Sequence, residues 1–260
     1  MANWINFERS CKDYLCHTFG QYADFVYKGG FNSTTSDIKV CTAGGKQFFI
    51  EAKKCPAQCG QFVLFPDILT RTFQYSTKNI TPINEFSAKI IAYMNDFFDE
   101  YSDAGTEGRN IDIQTEIFIS WIIQHYKDKG VKFIITNDYM LLPVEDVASY
   151  FYVTATYRIK RSGSRSVAKT KVDAVQDYLA ENYNITASFF RDKKLFVTSR
   201  NKLDNEHFFI DGCEYMISKR LDKYEIRSLS DTFNANVIFS ISLISGKTGL
   251  RNSEFISFLK

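Results

Sequence analysis

The chain has 260 residues, 45% of them apolar, so it can bury a sizeable core in one large domain or in two or three small ones. Its net charge is only +2, and it shows no low-complexity tract, long charge block or internal repeat, which argues against a disordered or solenoid protein. No apolar run approaches the roughly 20 residues that span a bilayer. Residues 1–9 lack the basic-then-apolar order of a signal peptide, so we expect a cytoplasmic protein.

The cysteines and histidines are not spaced as metal ligands. No Cys-x-x-Cys occurs, the nearest pair being Cys55 and Cys59, and the three histidines lie far apart in the sequence. This spacing argues against a zinc centre, and the lack of an export signal predicts that the thiols are reduced.

The first half of the chain mixes helix and strand patterns. Asn3 is a suitable N-cap for a helix that runs to about Phe19, because apolar residues recur at helical spacing. Residues 36–42 and 47–53 alternate around a turn at Gly44-Gly45, which predicts a β-hairpin. Two amphipathic helices and then two strands are predicted at 85–102, 112–129, 131–136 and 139–144.

The second half is rich in predicted strands. A strand at 153–160 ends at the break "RSGSR" (161–165), and a helix follows near 172–182. Asp211-Gly212 is a typical hairpin turn, and "RDKK" (191–194) is best interpreted as another turn. The remaining strands are predicted at 185–190, 195–199, 207–210, 214–219, 223–229 and 236–243, before a short closing helix.

These elements predict a mixed α/β fold of the α+β kind, because strands and helices do not alternate as regular βαβ units. Three blocks are expected, at 1–84, 85–183 and 184–260. No Pro- or Ser-rich linker separates them, so they can also pack as one body.

The predicted hairpin brings two carboxylates and an ammonium together. With the turn centred at Gly44-Gly45, Asp37 falls opposite Glu51 or Ala52. Glu51 and Lys53 are two residues apart and share a face, while the alternate residues can point into a core.

Such a group suits phosphodiester hydrolysis. Mg²⁺ prefers hard oxygen ligands, which Asp37, Glu51 and the Ala52 carbonyl can supply, and it stabilises the extra charge of a phosphoryl transition state. Lys53 can hold the attacking water and offset charge on the phosphate. The alternative is an exposed, salt-bridged hairpin, since charged residues at this spacing are common.

A basic stretch offers a site for a polyanion. Between Tyr157 and Val172 there is no acidic residue. A solvated loop is the alternative to a nucleic-acid contact. The basic residues are Arg158, Lys160, Arg161, Arg165, Lys169 and Lys171.

Several segments carry a resemblance to a known family. "TTSDI", "FIEAKK" and "AQCGQFVL" resemble the catalytic segment of PD-(D/E)XK nucleases, and more narrowly that of type II restriction endonucleases of the HhaI family. "GVKFIIT", "TYRIKRSGSR" and "SDTFNANVIFSISL" are similar to the same family, so the resemblance covers most of the chain. The leading Pro-Asp of the superfamily is Ser36-Asp37 here, a departure that loosens the generic motif but suits the subfamily.

The resemblance implies a PD-(D/E)XK core in block 1–84, a DNA-recognition block at 85–183 and a strand-rich DNA-binding block at 184–260. It implies Mg²⁺-dependent cleavage of double-stranded DNA at a short palindrome, leaving 5′-phosphate and 3′-hydroxyl ends. For a close HhaI relative the site would be GCGC, cut before the final C. It further implies a monomer with one catalytic centre, and a restriction–modification system in which a cognate DNA methyltransferase protects the host.

The resemblance also assigns roles to residues. Asp37 and Glu51 become metal ligands and Lys53 the residue that positions water. Gln58 and Gln61 are candidates to contact the scissile phosphate or the metal's water, with a loop or helix-start amide as the alternative. Glu8 is a candidate for an acidic residue that supports the metal ligands, and the alternative is an exposed charge on a helix. Ser36 is a candidate to hydrogen-bond a phosphate, and the alternative is a residue that caps a turn.

Recognition of the DNA sequence would fall to the basic loop. Arginines are the expected readers of guanine, and Gly163 allows a close approach to DNA. Other side chains of the loop would contact phosphates, and such contacts position the protein on the DNA without reading its sequence. The DNA-binding candidates are Arg158, Lys160, Arg161, Ser164, Arg165, Asn234 and Asn236, the two asparagines flanking the last long strand.

Two rival functions remain open on the sequence. A DNA-binding protein on an inactive nuclease scaffold is disfavoured by the intact Asp37, Glu51 and Lys53. A structure-specific repair nuclease of the same superfamily would need little base-reading apparatus, which the basic loop argues against.

Overall fold

The computed structural model describes residues 3–30 and 35–260, and of Asn3 only its place in a helix. The predicted Asn3 cap and Thr34 of the quoted "TTSDI" lie outside the described residues. The helices are α1 (Asn3–Phe19), α2 (Glu85–Asp96), α3 (Phe98–Ser102), α4 (Thr115–Asp128), α5 (Val147–Tyr150), α6 (Val172–Asn182) and α7 (Asn252–Leu259).

The strands lie between these helices, often several in succession. The first nine are β1 (Ala23–Tyr27), β2 (Ile38–Thr42), β3 (Gln47–Ala52), β4 (Ala57–Asp67), β5 (Thr72–Tyr75), β6 (Arg109–Asn110), β7 (Val131–Ile135), β8 (Leu141–Pro143) and β9 (Phe151–Arg161). The others are β10 (Ser164–Ser166), β11 (Ile185–Arg191), β12 (Lys194–Ser199), β13 (His207–Ile210), β14 (Cys213–Arg220), β15 (Lys223–Leu229) and β16 (Phe233–Leu243).

The chain forms two compact units. The large unit comprises Met1–Ile159 and Ala235–Lys260, and the small unit comprises Lys160–Asn234. The boundaries differ from the three predicted blocks, because β4 and β9 share a sheet with β16 from the end of the chain.

One sheet of the large unit carries the predicted hairpin. Its strand order is β1-β2-β3-β7-β8, with β3 and β7 parallel and the other pairs antiparallel. Apolar residues of β2, β3 and β7 pack on one face against α1 and α7, as the T-shaped contact of Phe133 with Phe255 illustrates. The opposite face is covered too, since Ile134 belongs to the core that contains α4.

Helix α4 joins this sheet to the second sheet of the large unit, ordered β5-β4-β16-β9-β6. Trp121 of α4 stacks on Phe239 of β16, with ring centroids 4.1 Å apart, and also contacts Phe62 of β4. The buried Tyr157 hydroxyl donates to the Leu64 carbonyl, which links β9 to β4. One continuous core therefore fixes both sheets about α4.

The small unit is one antiparallel sheet covered by a helix. Its strand order is β11-β12-β15-β14-β13. Strand β10 pairs with the last residues of β15, on the side where β12 pairs with the preceding residues. Apolar residues of α6 such as Val175 and Leu179 pack on the sheet with Leu195 and Ile217, which gives the unit its own core.

Most predicted elements are confirmed. Helices at Asn3–Phe19 and Val172–Asn182 have the predicted bounds, and the hairpin turns at Gly45 and Asp211-Gly212 have positive φ angles. The "RDKK" segment is a turn, as Asp192 and Lys193 also have positive φ. The expected mixed α/β class is confirmed, since the chain forms several sheets flanked by helices, and the sheet that carries the hairpin is a mixed one.

Other predictions need correction. The helix expected at 85–102 breaks at Phe97, which is not helical, and the helix expected from 112 begins at Thr115 because Ile111 donates to Ala155 beside β6. Strand β16 begins at Phe233, so Asn234 and Asn236 lie within it and do not flank it. Strands β1, β4, β5, β6 and β10 were not predicted.

Two further properties concern the part of the chain that the structure describes. No helix there is both long and apolar enough to cross a lipid bilayer. All six cysteines are free thiols.

Close packing at one glycine makes a test of this architecture. Gly60 in β4 has φ +148°, and a Cβ there would lie 2.7 Å from the Trp121 ring. Gly105 has φ +64°, but a Cβ there would meet open space, so it is the matched control. We expect Gly60→Ala to lower the free energy of unfolding by about 1–3 kcal/mol more than Gly105→Ala, because only Gly60→Ala overpacks the core. Urea unfolding of both variants measures the difference, and equal losses would contradict this account.

Candidate active site

The hairpin sets the relative positions of the two acidic residues. Ile38 pairs with Ile50 and Val40 with Phe48, a register that places Asp37, just before β2, level with Glu51. The Asp37 side chain is tied to the neighbouring strand, since its Oδ2 accepts from the Ala52 N–H at 2.9 Å. The Asp37 carbonyl accepts from Lys28 and Gly29, which fixes it to the end of β1 as well.

Glu51 and Lys53 form an ion pair at the end of β3. The Lys53 Nζ lies 3.0 Å from Glu51 Oε1, and both Glu51 and Asp37 are buried. The Lys53 N–H donates to the Ile135 carbonyl of β7, so this end of β3 is held on both sides. The alternative of an exposed, salt-bridged hairpin is therefore wrong.

The pKa values of Asp37 and Glu51 are shifted in opposite directions. Burial and the neighbouring charge of Glu51 raise the pKa of Asp37 to about 7. Burial also opposes ionisation of Glu51, but the positive charges of Lys53 and Lys129 hold its pKa below the ordinary value. Burial opposes the charge of Lys53 too, yet the two carboxylates raise its pKa, so its ammonium stays protonated.

Glu8 of α1 lies beside this pair. It is 7% exposed, so the alternative of an exposed helix charge is wrong. A Cβ at Gly29 would lie 2.5 Å from Glu8 Oε2 and 3.0 Å from Asp37 Oδ1, which shows that both carboxylates border the same small space. The Tyr27 hydroxyl donates to Glu8 at 2.7 Å, although burial still raises the pKa of Glu8.

Ser36 directly precedes Asp37 in the chain. It is buried, and its hydroxyl has no hydrogen-bond partner among the described residues.

The donor set fits a hard divalent cation. Glu51 Oε2 is buried without a hydrogen-bond partner among the described residues, and a buried oxygen of this kind needs a ligand. No cluster of three or more His, Cys, Asp or Glu side chains with metal-binding geometry occurs in residues 3–30 and 35–260. Two carboxylates plus a carbonyl, water and substrate oxygens correspond to the way Mg²⁺ is usually held.

Gln58 and Gln61 lie on β4, so the alternative of a loop or helix-start amide is wrong for both. Residues three apart in a regular strand point to opposite faces. Here Ser240 pairs with Gln58 and Phe239 with Gly60, so Cys59 is an extra, bulged residue. The bulge turns both glutamines to one face, where Gln58 Nε2 donates to Gln61 Oε1 at 2.9 Å.

One cleft of about 490 Å³ in the large unit is lined by six of the predicted site residues, Glu8, Asp37, Glu51, Lys53, Gln58 and Gln61, whereas Ser36 and Ala52 do not line it. The cleft also contains residues that the sequence analysis missed, because they come from the end of α4 and the loop before α2. They are Lys78, Thr81, His125, Tyr126 and Lys129.

His125 is the additional residue with the most defined contacts. Its Nδ1 lies 2.8 Å from Thr81 Oγ1, and its ring stacks on Trp121 with centroids 4.9 Å apart. Burial and the charge of Lys129 lower its pKa to about 4, so the imidazole is neutral near pH 7. Helical spacing alone could not reveal it, since a histidine on an apolar helix face is usually a core residue.

The basic residues divide between the two units. Arg158 belongs to the large unit, and its Nε is buried without a hydrogen-bond partner among the described residues. Lys160 and Arg165 of the small unit are exposed. Ser164 accepts from Arg227 at its carbonyl oxygen, and Arg161 is paired with Glu214.

The two asparagines have different surroundings. Asn234 is exposed in the small unit. Asn236, in the large unit, is buried opposite Val63 of β4, and its Oδ1 lacks a partner among the described residues. Contacts of either residue with DNA stay predictions.

The raised pKa of Asp37 makes a prediction about stability. A carboxyl that binds its proton more tightly when folded loses stability as pH rises from about 4, its unfolded pKa, through about 7. Asn cannot ionise and can still accept from Ala52. We therefore expect Asp37→Asn to raise the melting temperature of the metal-free protein by at least about 2 °C at pH 8, with the gain vanishing towards pH 4.

The measurement is thermal unfolding in EDTA across this pH range. Asp24→Asn, at an exposed position of β1, is the matched control and should show no such trend. A gain for Asp37→Asn that is the same at every pH would contradict the assigned ionisation.

Comparison with known proteins gives one clear relationship. No protein-family model matches the chain, and no curated protein matches it. Among solved structures, the chain is similar to HhaI endonuclease in complex with DNA, with 37% sequence identity and a TM-score of 0.73. The match covers 99% of this chain and 98% of that chain. On this full-length similarity, with the fold and the hairpin site in agreement, the chain belongs to the HhaI endonuclease family.

Proposed function

We propose that the protein is a type II restriction endonuclease, which hydrolyses double-stranded DNA at a short palindromic site with Mg²⁺. The observation that carries the proposal is the cleft with Asp37, Glu51 and Lys53 in a chain that is 37% identical to HhaI endonuclease over its full length. As in the PD-(D/E)XK superfamily, the products would be 5′-phosphate and 3′-hydroxyl ends.

Asp37 and Glu51 would hold the metal ion, with the Ala52 carbonyl as a third protein ligand. Support comes from the unpartnered Glu51 Oε2 and from the raised pKa of Asp37, which a nearby cation would lower again. When bound, Mg²⁺ would offset charge on the phosphoryl group and make a bound water more acidic.

Lys53 would orient the attacking water and the scissile phosphate. Its raised pKa keeps the ammonium charged, so it acts as a hydrogen-bond donor and not as a proton acceptor. The ion pair with Glu51 restricts the long side chain, and a fixed donor serves the transition state better than a mobile one.

Other polar groups of the cleft would support these residues. Gln58 and Gln61 face the same side through the β4 bulge, and their remaining amide groups can contact a phosphate oxygen or a water. Glu8, held by Tyr27 beside Asp37, would hydrogen-bond water in the outer shell of the site, and the buried Ser36 hydroxyl would steady the chain next to Asp37.

DNA recognition would rest on the basic loop. Arg161 and Arg165 are the proposed readers of guanine, because guanidinium donors match O6 and N7 of that base. Lys160, Ser164 and Asn234 would contact either phosphates, which fix the position of the protein along the DNA, or bases. Arg158 and Asn236 are less accessible and are therefore weaker candidates for a DNA contact. The proposed site is GCGC, cut before the final C.

The enzyme would act as a monomer that cuts the two strands one after the other. A restriction enzyme of this specificity implies a DNA methyltransferase that protects the same site in the host.

Digestion of a plasmid of known sequence with purified protein and Mg²⁺ tests the proposal. We expect a discrete set of fragments whose mapped ends share GCGC and carry 5′-phosphates. Binding without cutting would instead favour a non-catalytic DNA-binding protein. Cutting at junctions or damage, with no common sequence, would favour a repair nuclease.

Lys53→Ala should reduce the cleavage rate by about 10²-fold or more while DNA binding is retained, because the lost charge acts mainly in the transition state. Lys54→Ala, at the exposed neighbouring position, is the matched control and should cleave like the parent. Single-turnover cleavage at saturating Mg²⁺ and binding in EDTA give the two quantities. Near-parental cleavage by the Lys53 variant would refute the role given to it.

A further inference from the structure

Arg161 in the small unit is contacted by groups from two other strands, and one of these groups is held in turn by a third strand. It ends β9, and its Nη1 donates to Glu214 Oε2 of β14. The other carboxylate oxygen of Glu214 lies 2.7 Å from His207 Nδ1 of β13. The guanidinium carbon also lies 5.6 Å from the ring centroid of Phe233 at the start of β16.

The strand register accounts for the contact between His207 and Glu214. Phe209 pairs directly with Glu214, and His207 is two residues from Phe209, so its side chain is on the same face. Diagonal neighbours of this kind are within reach for a long side chain. The position of the carboxylate is thus determined by the sheet and not by a mobile loop.

The carboxylate of this network is more enclosed and has more partners than that of a typical surface ion pair. The Glu214 side chain is only 14% exposed, and its hydrogen bond with His207 and the charge of Arg161 lower its pKa, so it stays ionised. Both carboxylate oxygens are occupied, and the aromatic ring adds a cation–π contact. An arginine held by both a carboxylate and an aromatic ring loses little conformational entropy when it binds a further group.

The network also has an electrostatic disadvantage for a DNA-binding surface. A carboxylate next to a DNA-contacting arginine repels phosphates and weakens binding to any sequence. A better orientation of the Arg161 guanidinium towards a base would compensate for the weaker binding to phosphates. A guanidinium has five N–H donors, and the contact with Glu214 leaves enough of them for a bidentate contact with guanine.

We propose that Glu214 is a positioning residue for sequence recognition, which orients Arg161 for a base edge and prevents it from pairing indiscriminately with phosphates. The inference rests on the proposed function, because it requires that Arg161 contacts DNA. His207 would in turn hold the Glu214 carboxylate in place.

The test compares Glu214→Gln with the parent in binding to two short duplexes in EDTA, one containing GCGC and one with the same composition without it. We expect random binding to strengthen, since a negative charge is lost, and the ratio of cognate to random affinity to fall about fivefold or more, the lower end of what one bidentate base contact contributes. Glu206→Gln removes an equally charged, exposed side chain nearby and should leave the ratio unchanged.

A second pair of variants separates orientation from folding. Arg161→Lys keeps the positive charge but not the planar fork, so it should lower the same ratio while random binding remains. In an Arg161→Ala background, Glu214→Gln should no longer change the ratio. Thermal unfolding of each variant establishes that it is folded.

Two results would overturn the inference while leaving the proposed function intact. One is that Glu214→Gln strengthens binding to both duplexes by the same factor, which is simple charge repulsion. The other is that its effect on the ratio persists without Arg161. Failure of the proposed function is recognised separately, because the parent protein would then not prefer the GCGC duplex or cut the plasmid.

Discussion

Two buried carboxylates lie close to a single lysine, and the large unit is arranged to hold them there. Asp37 and Glu51 are level across the β2–β3 hairpin, and Lys53 compensates only part of their charge. Such a group is unfavourable for folding, since desolvation and mutual repulsion both oppose ionisation. The surrounding structure holds it by backbone contacts on both sides, from Ala52 to the Asp37 carboxylate and from Lys53 to β7. An electrostatically unfavourable arrangement on a rigid sheet is what a metal-dependent nuclease would require.

Close backbone approaches give the cleft its shape. Gly29 leaves the space that Glu8 and Asp37 border, and Gly60 lets Trp121 and His125 pack against β4. The bulge at Cys59 then turns Gln58 and Gln61 to the same face. These three features concern the backbone and not the charged residues themselves, so substitutions far from the chemistry can deform the site.

In the small unit, a partly buried carboxylate is neutralised by an arginine instead of lying beside a second carboxylate. There the Glu214 carboxylate accepts from Arg161 through one oxygen. Its other oxygen is in hydrogen-bond contact with His207. Under the proposed function, cleavage and recognition would depend on separate groups of charged residues. Substitutions could then change one of these properties without loss of the other.

Local elements and the central charged group could be predicted from the amino-acid sequence. Apolar spacing predicted α1, glycines predicted the hairpin turns, and alternation around Gly44-Gly45 placed Asp37 opposite Glu51 or Ala52, with Lys53 on the same face as Glu51. These features depend on residues within a few positions of one another, which local patterns describe well. Strand β4 escaped prediction because its exposed positions skip a residue at the bulge, so that its alternation is interrupted.

The surroundings of the charged group depend instead on how distant elements pack. Glu8 has the pattern of an ordinary helix charge, and it is buried because α1 packs beside Asp37. His125 and Lys129 reach the cleft because α4 packs between two sheets whose strands come from both ends of the chain. Arg161 has the pattern of a free basic side chain, and it is paired because β14 brings Glu214 to it from 53 residues away. No periodicity within one element records such contacts, so they become visible only in the folded chain.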